Sequence, residues 1–365
     1  MATLAFYTTN PMKKILIGFS VLLLLLTLLP LSDSQHGLIR IWSYPRLQIA
    51  ALMMLTIIGW AFYFREAKKH IVLVVVLVAA NCYQASKFLP YTFLWKPEIV
   101  DTNKPIKDQE ISVLFYNVYM YNKDTSSFLD LAKKVNADLI LLAEPDEFWR
   151  KGMQPLYAAY PYKVEVPLPN TYGMCLYSKL PLSSTKVKYL VEPDIPSIHT
   201  NVTLPGGQKI KLYCIHPEPP GVSKSTKDRD AELVIVAKEI SKRTLPVLVA
   251  GDLNDVAWSS TTRLFGKISK CNDPRVGRGL YNTFNAKYPL FRWPLDHFFT
   301  STEFTLVKIE RFPKIGSDHF PIFIRVTYDP ASADENKRKD AEKADLEEAE
   351  EKLEEEKKED KQSGR

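Results

Sequence analysis

The chain has 365 residues, 46% hydrophobic and 25% charged, with 48 Lys and Arg against 42 Asp and Glu for a formal net charge of +6. Such a chain holds one large domain with something added to it, and its apolar content excludes a disordered polypeptide. Of its four cysteines Cys82 lies in an apolar stretch, which leaves an odd number elsewhere; buried free thiols are expected rather than a disulfide scaffold.

Residues 1–95 read as a membrane region with about three transmembrane helices. Ile15 to Leu29 is uncharged behind Lys13 and Lys14, and at about 1.5 Å per residue Met12 to Leu31 just covers a bilayer core of roughly 30 Å. Leu47 to Phe64 is similar in length and ends in Trp60, Phe62, Tyr63 and Phe64, which suits an interfacial aromatic belt. Ile71 to Ala80 is apolar, but Asn81, Gln84, Ser86 and Lys87 follow. It spans only if those side chains meet neighbouring helices or the interface. No small-x-small cleavage site follows Leu31, so the first stretch reads as an uncleaved anchor of an integral membrane protein. Arg65, Lys68 and Lys69 against Glu66 place that loop in the cytoplasm. Three spans then deliver everything after Trp95 to the extracytoplasmic side, of the inner membrane in a bacterium; with only two spans it falls in the cytoplasm.

After a linker at 96–107, strand-like and helix-like runs alternate through residues 108–330, as in a layered α/β domain. Strands are predicted at Ile111 to Val118, Asp138 to Ala143, Gly173 to Ser178, Ile210 to His216, Pro246 to Ala250, His297 to Thr300 and Pro321 to Val326. Helices are predicted at Ser127 to Asn136 and Ser225 to Lys242. Residues 331–365 carry 14 acidic and 9 basic side chains, with Leu346 and Leu353 one heptad apart. Two leucines do not sustain a coiled coil, so a solvated extension, helical or disordered, is expected there, its protein partner unspecified. Most of the basic surplus lies in residues 1–107, leaving +4 for residues 108–330. That is not the dense basic face of a dedicated duplex binder; nucleic acid is permitted as a substrate but not indicated.

Polar residues stand at the strand ends: Asn117, Glu144, His216, Asp252 with Asn254, Asp296, and Asp318 with His319. Each alone has a turn-forming explanation. Gly251-Asp252-Leu253-Asn254 and Gly316-Ser317-Asp318-His319 together read as a metal-dependent phosphoester-cleaving site, with hard-cation ligands beside a potential base. The Asp252 and Asn254 side chains, one residue apart on an extended exit, are expected to point the same way.

These phrases, Leu114-Phe115-Tyr116-Asn117-Val118, Leu141-Leu142-Ala143-Glu144, Tyr213-Cys214-Ile215-His216-Pro217, Gly251 to Asn254, Pro294-Leu295-Asp296-His297 and Ser317-Asp318-His319, resemble the endonuclease/exonuclease/phosphatase superfamily in its own order. His216-Pro217-Glu218-Pro219-Pro220 and Gly277 to Gly279 are most similar to bacterial members preceded by transmembrane helices. The resemblance implies an α/β fold, a four-layered sandwich of two packed mixed sheets flanked by helices, with the active site where strand ends converge. It implies Mg²⁺, or Mn²⁺, held by Asn117, Glu144 and Asp318, and catalysis by His216, Asp252, Asn254, Asp296 and His319. Asp296 would orient His319, Asp252 and Asn254 would surround the attacking water, and His216 would donate to a phosphoryl oxygen or leaving group. Glu165 is a candidate partner for His216; His297 reads as structural, and Arg275 and Arg278 as phosphate contacts or solvated loop residues. The expected activity is hydrolysis of a phosphodiester or phosphomonoester, as an endonuclease or a hydrolase of lipid head groups. The membrane tether favours the lipid. The alternative is a catalytically silent membrane scaffold that binds a partner through the acidic tail.

Overall fold

The computed structural model describes residues 11–32, 34–221 and 224–363, in two compact units, Met1–Pro90 and Tyr91–Arg365. The first unit contains α1 (Pro11–Leu28), α2 (Gly37–Arg40), α3 (Arg46–Phe62), α4 (Phe64–Lys69) and α5 (Ile71–Phe88). The helical segments Pro11–Leu31 and Ile71–Tyr91 are each long and apolar enough to cross a membrane. Gly37–Ser43 and Arg46–Phe62 qualify only together and are bent by 68°, which makes two spans or three. The stretch that looked weaker in the sequence is therefore a full-length apolar helix, and the second, Leu47 to Phe64, lies mostly in the continuous 17-residue α3, which reaches spanning length only with the bent segment before it. The polar residues of α5 explain the first half of this result: the Gln84 amide donates to Thr27 Oγ1 at 3.0 Å and accepts from Arg46 Nη1 at 2.9 Å. On the same principle Trp60 Nε1 donates to Ser20 Oγ at 3.1 Å. Interhelical hydrogen bonds satisfy groups that lipid cannot.

The second unit carries β1 (Glu110–Asn117), α6 (Thr125–Val135), β2 (Leu139–Ala143), α7 (Glu147–Gly152), β3 (Tyr162–Val166), β4 (Met174–Ser178), β5 (Leu182–Tyr189), β6 (Pro196–Thr203) and β7 (Lys209–Cys214). It continues with α8 (Lys227–Ser241), β8 (Val247–Asp252), α9 (Ser260–Ser269), β9 (Asp296–Thr300), β10 (Phe304–Arg311), β11 (Ile322–Tyr328) and α10 (Lys343–Ser363). Six strands form a sheet in the order β10-β11-β1-β2-β4-β3 and five form another in the order β5-β6-β7-β8-β9. Alternation along the strands makes the layers. Val113, Phe115, Leu139 and Leu141 of one sheet share a core with Leu212, Cys214, Leu248 and Ala250 of the other. Their neighbours point outward: Leu114, Tyr116, Ile140 and Leu142 pack with Phe128 of α6 and Trp149 of α7, while Val247 and Val249 pack with α8 and α9. The result is the four-layered α/β sandwich that the resemblance implied.

Two pairs of strands are parallel, β1 with β2 and β7 with β8. Parallel neighbours end on the same side, so Asn117, Glu144, His216 and Asp252 leave the sheets together. Gly251 allows the last of these exits: a Cβ there would fall 1.8 Å from the Ile215 carbonyl oxygen. The strand does not stop at this glycine, as its sequence suggested, but runs through Asp252, which pairs with Asp296 of β9.

The segment expected to be a linker is built into the second unit, with Ile99 in the inter-sheet core and Val100 N donating to Asn336 Oδ1 at 2.8 Å. The acidic tail, expected as a solvated extension, forms α10 against α8 and α9. Lys352 is buried with its Nζ 2.9 Å from Asp230 Oδ2, and Ala349 and Leu353 join the α8 core. The four cysteines are free thiols, three of them buried.

Candidate active site

The site is assembled across the two sheets by one amide. Asn117, at the end of β1, donates through Nδ2 to Glu144 Oε1 at 2.9 Å, just past β2 of its own sheet. The same nitrogen donates to Asp252 Oδ2 at 3.1 Å, at the end of β8 in the other sheet. Its oxygen accepts the Tyr119 backbone N–H at 3.0 Å, so Asn117 positions two carboxylates while one lone pair of its oxygen is used by the backbone. Glu144 sits at φ +62°, a conformation that side chains other than glycine adopt sparingly and that recurs at functional sites.

His319 is held between two acids. Its Nδ1 lies 3.0 Å from Asp296 Oδ1 and 3.2 Å from Oδ2, and its Nε2 lies 3.5 Å from Asp252 Oδ2. Burial alone would keep this imidazole neutral; the Asp296 and Asp252 charges outweigh it and raise the pKa above the ordinary histidine value. Burial also raises Asp252, with His319 opposing and Asp296 adding to the shift. The backbone is fixed as firmly. Ser317 Oγ donates to the Asn117 carbonyl at 2.8 Å and accepts the His319 N–H at 2.9 Å, which ties the last loop to the first strand. The Phe284 ring centroid lies 4.9 Å from the imidazole. Ser317 was visible in its motif but carried no assigned role, and Phe284 had no signal in the sequence.

His216 is treated in the opposite way. It is buried, its Nδ1 has no hydrogen-bond partner among the described residues, and burial with the charge of His319 lowers its pKa to about 3. Glu165 does not orient it: that carboxylate accepts from the Tyr157 hydroxyl at 2.5 Å and the Tyr177 hydroxyl at 3.0 Å. Tyr172 is the nearby ring, 6.1 Å between centroids.

Asn254 departs from the extended geometry expected of it. At φ +49° it turns its Nδ2 to the Pro217 carbonyl at 3.0 Å, securing the loop after His216, while its backbone N–H donates to Asp252 Oδ1 at 2.8 Å. Asp318 is half-buried, 3.9 Å from Lys287 Nζ, and close enough to Glu144 to add to the rise that burial causes there. The two arginines are structural. Arg275 is buried on Asp273 and the Asp296 carbonyl, and Arg278 binds Asp101 and the Pro274 carbonyl. His297 is structural as well, between Arg275 and the Asp255 carbonyl.

The donor set fits a hard divalent cation. Asp252, Asp296 and His319 form a buried group whose ligating atoms lie within 4.8 Å of one another, and Glu144 adjoins it through Asn117. No Lys or Arg forms an ion pair with Asp252, Asp296 or Glu144 among the described residues; His319 is the one cationic side chain against the Asp252 and Asp296 carboxylates, Arg275 reaching the Asp296 carbonyl instead. Because His319 is already engaged by Asp296, the carboxylates left short of positive charge are Glu144 and Asp252, with Asp318 beside them. Oxygen donors in that state suit a divalent cation.

The sequence pattern of the endonuclease/exonuclease/phosphatase family matches residues 114–319, from β1 through His319. A Vibrio campbellii protein described as a UPF0294 protein is 24% identical over 240 residues, covering 64% of this chain and 81% of that one. Among solved structures, D. rerio TDP2 complexed with single-strand DNA product aligns with a TM-score of 0.51 at 15% identity, over 60% of this chain and 99% of that one. An endonuclease/exonuclease/phosphatase from Beutenbergia cavernae aligns at 0.49 and 18% identity, over 60% and 72%. The likeness to TDP2 is one of fold.

Proposed function

The chain belongs to the endonuclease/exonuclease/phosphatase family, and on that premise we propose that it is a membrane-anchored, Mg²⁺-dependent phosphoester hydrolase acting on lipid head groups. The observation that carries the chemistry is the continuous arrangement Asp296–His319–Asp252–Asn117–Glu144, drawn from both sheets and buried except for the half-buried Glu144. Asp296 fixes the His319 tautomer and stabilises its protonated form, so the imidazolium offers fixed positive charge to the phosphoryl group. Asp252, oriented by Asn117 and by the Asn254 N–H, accepts the proton of the attacking water. His216 stays neutral and donates one hydrogen bond to a phosphoryl oxygen, for which its unpartnered ring is available. A divalent cation held by Glu144 and Asp318 would neutralise charge gathering on the non-bridging oxygens.

The lipid reading rests on the two or three helices apolar enough to span a membrane and on the surplus of only +4 in residues 108–330. The full chain in detergent, offered phospholipid vesicles, supercoiled plasmid and a simple aryl phosphodiester with Mg²⁺ or with chelator, tests it. Release of phosphorylated head groups is expected; plasmid nicking without lipid cleavage would replace the lipid reading by a nuclease. Three spans place the hydrolase on the extracytoplasmic side, so a periplasm-active reporter fused after Trp95 should be active, and silence would reverse that placement.

A further inference from the structure

Around Phe320, the residue after His319, lies a pair of arginines that the catalytic arrangement does not use. Arg311 ends β10 and pairs in register with Ile322 at the start of β11, so it stands at the end of the sheet where His319 emerges. Arg292 comes from the segment between Phe284 and Trp293, which bridge to each other, while Phe284 also bridges His319. Both guanidiniums lean on one ring: Phe320, the residue after His319, has Arg292 Cζ 4.9 Å and Arg311 Cζ 4.0 Å from its centroid. Two cations on one ring repel, and the usual remedy is a shared carboxylate. Neither guanidinium has an ion-pair or hydrogen-bond partner among the described residues, and each has a buried nitrogen without an acceptor, Nε of Arg292 and Nη1 of Arg311. Burial, then the charge of Arg292, holds Arg311 below the ordinary guanidinium value, with no acid acting in the other direction.

A buried guanidinium N–H without an acceptor requires an explanation, and two of them at one ring describe half of a binding site. Planar forks with free N–H groups match tetrahedral oxyanions, whose oxygens accept two parallel bonds at once. We propose that Arg292 and Arg311 form a subsite for a phosphate group, next to the ester that is cleaved. Its identification with part of the substrate rests on the hydrolase reading above; the anion site itself does not. A substrate with a second phosphate near the scissile one would be held at both, and one without it at the catalytic acids alone.

The test is binding without turnover. The full chain in detergent, kept metal-free with chelator, is titrated with inorganic phosphate and with dimethyl phosphate, read by calorimetry. Saturable binding of at least one is expected, weakened roughly tenfold or more in Arg292→Gln and in Arg311→Gln, the size of a lost charge-assisted hydrogen bond. The Arg→Lys variants should recover part of it, and Lys308→Gln, on the same strand as Arg311, should leave it in place. Preference for inorganic phosphate would mark a terminal group and preference for dimethyl phosphate a bridging one; either supports the subsite. Absence of binding, or binding equally tight in both Arg→Gln variants, overturns it. Thermal melting checks each variant, and if Arg311→Gln fails to fold, Arg292→Gln carries the same comparison. Loss of hydrolysis in His319→Gln with the arginine-dependent part of phosphate binding retained would separate the two readings.

Discussion

Both units of this chain bury polar side chains, and the networks these form join different things: helices in the first unit, carboxylates in the second. In the N-terminal helices Ser20 and Thr27 return bonds to their own helix carbonyls, at 2.7 and 2.8 Å, and Trp60, Gln84 and Arg46 complete a network joining α1, α3 and α5. In the catalytic unit His319 is, among the described residues, the one cationic side chain paired with the Asp252 and Asp296 carboxylates, Glu144 adjoins them through Asn117, and His216 Nδ1 has no hydrogen-bond partner. Interhelical hydrogen bonds hold the helices of the first unit together, although Asn81 Oδ1 and His70 Nε2 are buried there without a hydrogen-bond partner among the described residues. The carboxylates of the second unit are short of positive charge, which a bound cation would supply.

If that contrast is correct, removing the cation should have the largest effect. Chelator should abolish hydrolysis by the full chain, and Mg²⁺ should restore it, as followed with an aryl phosphodiester. His319→Ala should lower kcat by roughly 10²–10⁴-fold while the protein stays folded by circular dichroism. Stability separates the units further. Glu232 is buried in α8 with an unpartnered oxygen, and burial raises its pKa from 4.5 to about 8. Above pH 4.5 the unfolded chain releases this proton while the folded one retains it, so its stabilising contribution is complete below 4.5 and lost as pH rises through about 8. Glu232→Gln should accordingly melt higher than the parent, with an advantage that opens above pH 4.5, grows to pH 8 and reaches ~2–4 kcal/mol. The smallest effect belongs to the helix network: Gln84→Ala should cost ~0.6–2 kcal/mol in detergent and leave hydrolysis of a soluble ester unchanged.

The sequence revealed what periodicity and strand-end chemistry encode. The central strands β1, β2, β4, β7 and β8 were legible because most of their residues are buried and apolar or β-branched. Strands β3, β5, β6 and β10 were not: Tyr162–Val166 and Leu182–Tyr189 bury no complete face, β10 carries Lys308, Glu310 and Arg311, and β6, though central and buried, is broken up by Ser197, His199, Thr200 and Asn201. Asn117, Glu144, Asp252, Asp296 and His319 were each found at a strand end. Their mutual hydrogen bonds depend on how the two sheets face one another, which no local pattern specifies. Asn254 shows the limit most clearly: residue type and spacing suggested a side chain parallel to that of Asp252, whereas a left-handed backbone turns it to Pro217. In α10 the composition is that of a solvated helix, and a single lysine, Lys352, finds the buried Asp230 that anchors it.

The most direct test compares the full chain with Asp252→Asn, in detergent, on an aryl phosphodiester with and without Mg²⁺. The variant keeps the size of the side chain and removes its charge. Turnover that requires Mg²⁺ in the parent and is lost in Asp252→Asn, with both proteins folded, is expected. Equal turnover in the two proteins, or no hydrolysis of any phosphoester by the folded parent, would contradict a hydrolase built on these carboxylates.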